Sequence, residues 1–131
     1  MLKQMENWLR DYLEATGTGT VHADYLDGIP GNYCLTYLGD QVLDRQPDIL
    51  GNTWVTSRSH FYLKRLCVGP VTSWISSLAD WCKLKTAQED TPRQGILTLE
   101  GGKRLETNPD GTYLEGVDLY LTYRQYFEGE F

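Results

Sequence analysis

The strongest constraint on the fold lies in the last third of the chain. There Val117, Leu119, Leu121 and Tyr123 alternate with Asp118, Tyr120, Thr122 and Arg124. Strand side chains point to opposite faces in turn, so a run from about Thr112 to Tyr126 reads as a long strand with one apolar face. Gly116 inside it reads as the mark of a bulge. Just before it, Asn108-Pro109-Asp110-Gly111 has the residues that a tight turn requires. Upstream, Ile96, Leu97 and Leu99 open this β-unit, and Lys103 to Thr107 reads as a short separate strand.

Two other segments carry the helical period instead. Leu2, Met5, Leu9, Tyr12 and Leu13, with Trp8 beside them, recur at three- and four-residue steps. Lys3, Glu6, Arg10 and Glu14 fall mostly on the opposite side, and Gly17 and Gly19 stop the helix. Val71, Trp74, Ile75, Leu78, Trp81 and Cys82 form a second apolar stripe, with Pro70 suited to its first turn. Lys83 and Lys85 suit its C-terminal end. Trp8, Trp74 and Trp81 lie on these stripes and read as core residues. Thr86 to Gly95 reads as a polar linker.

Between the helices the period is two again. Val21, Ala23 and Tyr25 alternate with Thr20, His22 and Asp24. Asp27-Gly28-Ile29-Pro30-Gly31 is dense in turn residues, and Asn32 to Leu38 reads as a second strand. Gly39 to Asn52, polar and containing Pro47 and Gly51, reads as a loop. Thr53 to Val68 is the longest strand candidate. Val55, Phe61, Leu63 and Cys67 share one parity there. Ser57, Ser59 and Arg65 interrupt it, so the strand is expected to bend or leave the domain near Ser57 to Ser59. Strands in runs, without a helix between each pair, predict a mostly antiparallel sheet. The fold class expected is a single α+β domain over residues 1–131, with two amphipathic helices packed on that sheet.

Candidate chemical sites are sparse. His22 and His60 each fall inside an expected strand, on the parity opposite the apolar side, where a histidine is ordinarily a surface or hydrogen-bonded residue. Gly17-Thr18-Gly19-Thr20 follows a helix rather than a strand and lacks a third glycine, so it reads as a turn and not a phosphate cradle. The carboxylate pairs Asp24 with Asp27, Glu89 with Asp90, and Glu128 with Glu130 lie in or beside loops, with nothing apolar to raise a pKa. Asp110 alone cannot make a calcium loop. The cysteines are Cys34, Cys67 and Cys82, an odd number without a C-x-x-C pair, which favours reduced thiols over a disulfide framework or a zinc site. No catalytic, cofactor or metal residues are assigned, and the chain is expected not to be an enzyme.

A net charge of −6 argues against sequence-independent binding to nucleic acid or to an anionic membrane. Met1 to Glu6 lacks the apolar core of a signal peptide, and no apolar run approaches a membrane span. The expectation is a protein kept in the cytoplasm, unless it leaves inside a larger particle. Tyr120, Tyr126, Phe127 and Phe131 keep the C-terminal strand aromatic on both faces, which points to docking against another subunit.

Several short motifs in chain order carry a resemblance. They are Met1-Leu2-Lys3-Gln4-Met5-Glu6-Asn7-Trp8-Leu9, then Asp24-Tyr25-Leu26, and Gly28-Ile29-Pro30-Gly31-Asn32-Tyr33. The Trp74 to Trp81 helix follows, and the series closes with Gly111-Thr112-Tyr113 and Tyr120 to Tyr123. In these the chain resembles a group of phage minor capsid or tail-terminator-like proteins from siphophages and prophages of Gram-positive bacteria. The resemblance implies a tail-terminator-like α+β fold and a non-enzymatic role in virion assembly at the head–tail junction; a head-completion or tail-tube component is the alternative within the same assembly, and a small cytoplasmic enzyme or a regulatory binding module the alternative from another class. It implies a ring of identical subunits, commonly a hexamer, bound to tail-tube and head-completion proteins. DNA would only pass through such a ring, and there would be no cofactor and no membrane partner. Assembly would take place in the host cytoplasm, and the product would be part of the virion. Family ring contacts come from sheet edges and long loops. On this chain those are Gly39 to Asn52, Thr53 to Ser59 and the C-terminal strand, with Val42, Leu43, Ile49, Leu50, Trp54, Tyr120, Tyr126, Phe127 and Phe131 as candidate interface residues.

Overall fold

The computed structural model describes residues 1–69 and 74–128. In chain order the elements are α1 (Leu2–Thr16), β1 (Val21–Ala23), β2 (Tyr33–Pro47), β3 (Thr53–Val68), α2 (Trp74–Ala87), a short 3-10 turn (Pro92–Gln94), β4 (Ile96–Thr107) and β5 (Thr112–Phe127). The strands form one sheet in the order β1-β2-β3-β5-β4. All neighbours are antiparallel except β1 and β2, which run parallel over Val21–Tyr33 to Ala23–Leu35. The chain is therefore α+β, as its periodicities predict.

The spine of the sheet is the β3–β5 pair, in register from Thr53–Phe127 to Val68–Thr112 without a slip. Its core-facing parity carries Phe61 opposite Leu119 and Leu63 opposite Val117. Leu35 and Leu97 extend that face onto β2 and β4. Met5, Leu9, Tyr12 and Leu13 of α1 and Trp74, Leu78 and Cys82 of α2 join the same buried cluster. One sheet face thus holds both helices, and the apolar area they remove from water is the main stabilising term. Trp8 and Trp81 pack against this cluster half-buried, while Trp74 is buried. Burial pushes the Cys82 thiol up to about 12, so it sits in the core as an inert apolar group. Pro70 and Val71, assigned to the second helix from sequence, lie outside the described residues.

Six local expectations are corrected. The Gly39–Asn52 segment is not a loop: β2 runs on to Pro47, and only Asp48 to Asn52 turn the chain. Its strand-breaking residues are absorbed by two register slips against β3, between Tyr37 and Gly39 and between Val42 and Asp44. Thr53–Val68 neither bends nor leaves at Ser57 to Ser59. Both serines are buried on the core-facing parity, and Ser59 Oγ donates to Asp40 Oδ1, which satisfies the hydroxyl. Lys103–Thr107 is part of one continuous β4, whose two slips against β5 fall between Glu100 and Lys103 and between Arg104 and Glu106. Gly116 is not a bulge on β5, since its register with β3 is unbroken; the Tyr62 ring occupies the space a side chain would need. Tyr25 does not continue β1, which ends at Ala23 before Asp24 turns with φ 66°. Glu6, placed on the polar side of α1 from sequence, is also buried, and it is paired with Arg10 at 2.8 Å and Lys3 at 3.5 Å.

Candidate docking surface

β1 covers only Tyr33 to Leu35, so the outer edge of β2 beyond them has no partner strand among the described residues. Residues 40–47 are all exposed. This part of β2, the start of β3 and the end of β5 form a three-stranded arm that ends in the Asp48–Asn52 turn.

Asp48 builds the tip. Its Oδ1 accepts from the backbone N–H groups of Leu50 at 2.9 Å and Asn52 at 3.0 Å. Its Oδ2 accepts from the Tyr126 hydroxyl at 2.8 Å. Gly51, at φ 82°, supplies the left-handed position that closes the turn. The side chains left at the apex are Ile49, 101% exposed, and Leu50, 79% exposed. Behind them the Trp54 and Tyr126 rings lie 4.8 Å apart, with the Arg124 guanidinium 4.5 Å from the Trp54 ring. Val42 and Leu43 are exposed further along β2, Leu43 falling in the second slip. Phe127 stands opposite Thr53 at the base of the tip.

The structure therefore gathers Ile49, Leu50, Trp54, Tyr126 and Phe127 at one end of the sheet, with Val42 and Leu43 along its free edge. Tyr120 is not among them: it lies mid-sheet, on the face away from the helices. Phe131 lies outside the described residues. What sequence reading missed is the group around Tyr120. The His60 ring stacks on Tyr120 at 4.5 Å, Arg58 lies 4.6 Å from the same ring, and His60 Nε2 is 2.6 Å from Asp118 Oδ1. All four side chains share one strand parity. That signal is readable only once β3 is paired with β5 in the right register.

Several of the other residues weighed for chemistry have structural partners. His22 Nε2 meets Asp27 Oδ2 at 2.9 Å, and His22 Nδ1 meets the Tyr25 hydroxyl at 2.9 Å. Asp27 also accepts from the Ile29 backbone N–H and from Asn32. The Ile29 bond is the largest cause holding the Asp27 carboxyl below its ordinary value. These contacts brace the β1–β2 crossover. Asp90 pairs with Lys85 at 3.2 Å, and its backbone carbonyl accepts from the Trp8 indole at 3.0 Å. Glu130 lies outside the described residues. Among the described residues no group of three or more His, Cys, Asp or Glu side chains could hold a metal ion, and no helix is long and apolar enough to cross a membrane.

The tip has a pH dependence of known sign. The Tyr126 hydroxyl is the largest cause that holds the Asp48 carboxyl below the usual carboxylate value, and the N–H groups of Asn52 and Leu50 add to it. A depressed folded pKa means that the ionised form favours the closed turn. That contribution is complete above the ordinary carboxylate pKa and is lost as pH falls through the lowered folded value. We expect the Leu50 and Asn52 amides to exchange faster with solvent on acidification, when referenced to a core amide such as Leu119. Equal acid response of tip and core amides would refute this.

Compared with known proteins, the chain matches no family model, and no curated protein matches it.

Proposed function

We propose that the chain is a non-enzymatic assembly protein that docks through its β2–β3 arm. We read it as one subunit of a ring at the head–tail junction of a phage particle, where its partners would be tail-tube and head-completion proteins. The observation that carries the reading is the apex: two aliphatic side chains at full or near-full exposure, on a turn fastened by three hydrogen bonds to one carboxylate. Rigid presentation of apolar groups favours binding, because little ordering entropy remains to be lost. Trp, Tyr and Arg beside them are the residue types that anchor protein interfaces.

In a ring the arm would meet a different surface on its neighbour. Such a head-to-tail contact closes into a ring when its rotation allows. A net charge of −6 disfavours adhesion of DNA to such a ring by simple repulsion. The test is light scattering across a concentration series, followed by electron microscopy of the protein mixed with phage tail tubes. Rings, free or capping the tubes, are the expected result. A strict monomer at high concentration that leaves tube ends bare would overturn the reading.

A further inference from the structure

We infer that a recess on the helix-free sheet face, between Arg58, His60 and Tyr120, binds a carboxylate group. This does not rest on the assembly reading. The recess has a volume of about 200 Å³, and Leu38, Gly39 and Gln41 line its β2 side.

Arg58 carries the argument. Its guanidinium lies 4.6 Å from the Tyr120 ring centroid, and its Nη2 donates to Gln41 Oε1 at 3.3 Å. Although the chain has 18 acidic residues, none pairs with Arg58 among the described residues. A guanidinium has five donors in a planar fork, so most remain for a planar oxyanion. The Tyr120 ring beside it restrains the guanidinium, which lowers the ordering cost of binding.

His60 is the second wall. Its ring is stacked on Tyr120 at 15°, and Asp118 holds its Nε2, so Nδ1 is the ring's remaining polar atom. Gly39 stands opposite His60 in the β2–β3 ladder. A Cβ built at Gly39 would meet no heavy atom within 4 Å, so the β2 side of the recess is open to a visitor. The first register slip of β2, at Leu38, makes this room.

The charges select a single-charged ligand. Arg58 is the permanently charged cation among the residues that line the recess. Glu100 faces Asp118 across the β4–β5 ladder, on the side of β5 away from β3. Asp40 borders the recess, but its carboxylate accepts from Ser59 on the core-facing side of the sheet. A dianion such as phosphate would meet these three carboxylates at greater cost than a monoanion would. The volume suits a carboxylate on a short stem, either a small free acid or an acidic side chain of a partner polypeptide.

The experiment is an NMR titration that follows the Arg58 Nε–Hε and His60 ring signals. Sodium acetate and a blocked Ala-Glu-Ala peptide, each with one carboxylate, are added separately, with sodium chloride at matched ionic strength as reference. Saturable shifts with acetate or peptide are expected. They should vanish in Arg58→Gln and weaken about tenfold in Arg58→Lys, which keeps the charge and loses the fork. A peptide that binds about tenfold or more tighter than acetate assigns the carboxylate to a partner chain; comparable affinities assign it to a small free acid. Shifts no different from those with chloride, or saturation that persists in folded Arg58→Gln, would overturn the inference.

Discussion

Phe61→Ala is expected to destabilise the fold by about 3–5 kcal/mol, the usual cost of deleting a buried aromatic side chain. Phe61 is fully buried on β3, the middle strand of the sheet. It faces Leu119 across the β3–β5 pair and lies 5.2 Å from the Tyr37 ring on β2. Strands on both sides fix the backbone around it, so the vacated space cannot collapse. Domains of this size have about 5–15 kcal/mol of stability, so the variant would lose a large share of it. Urea unfolding followed by circular dichroism measures the change. Phe61→Leu should cost clearly less, since it leaves a smaller void. If Phe61→Ala unfolds within about 1 kcal/mol of the parent, the core described above is wrong at its centre.

The second large effect is expected on association and not on stability. Ile49→Asp with Leu50→Asp places two charges at the apex of the arm. Both side chains are exposed in the monomer, so folding should change by no more than about 0.5 kcal/mol. In a docked state the same positions would be buried, and each lost aliphatic contact is worth about 1.5–3 kcal/mol. The pair should therefore weaken assembly by at least about a hundredfold. Light scattering on the parent and the variant, with denaturant curves for both, separates the two effects. Unchanged assembly by a stably folded variant would exclude the arm tip as the docking surface.

The two cases differ in how far they are legible in sequence. Phe61 shares its parity with Val55, Leu63 and Cys67, and period-two alternation marks the core-facing side directly. The helices are legible for the same reason, through Met5, Leu9 and Leu13 and through Trp74, Leu78 and Cys82. The arm is not. Gly39, Asp40, Asp44 and Pro47 carry the local signals of a loop, and a strand forms there because β3 supplies a partner along its length. Pairing with another strand overrides local propensity. Slips at Leu38 and Leu43 also break the alternation that would have revealed the strand. Ser57 and Ser59 misled in the opposite direction. They are polar residues on the buried parity, and Ser59 is tolerated there because Asp40 accepts its hydroxyl.

The candidate sites follow the same division. Ile49, Leu50, Trp54 and Tyr126 stand out as apolar residues in or beside polar segments, and the structure gathers them. His60 with Asp118, and Arg58 with Tyr120, are far apart in sequence. Only the β3–β5 register brings them together.

That register also governs the order in which the domain can assemble during synthesis. β2 and β3 are joined by a short turn and can pair as soon as both have emerged. β5, the other neighbour of β3, is separated from it by α2 and β4. Contacts closed over long stretches of chain form slowly, because the entropy of closing the loop must be met before they contribute. Until β5 arrives, one edge of β3 is unpaired, with Phe61 and Leu63 uncovered beside it. An open edge next to exposed apolar groups is a template for pairing with another nascent chain. The yield of folded protein should therefore depend on how long the growing chain waits between β3 and β5.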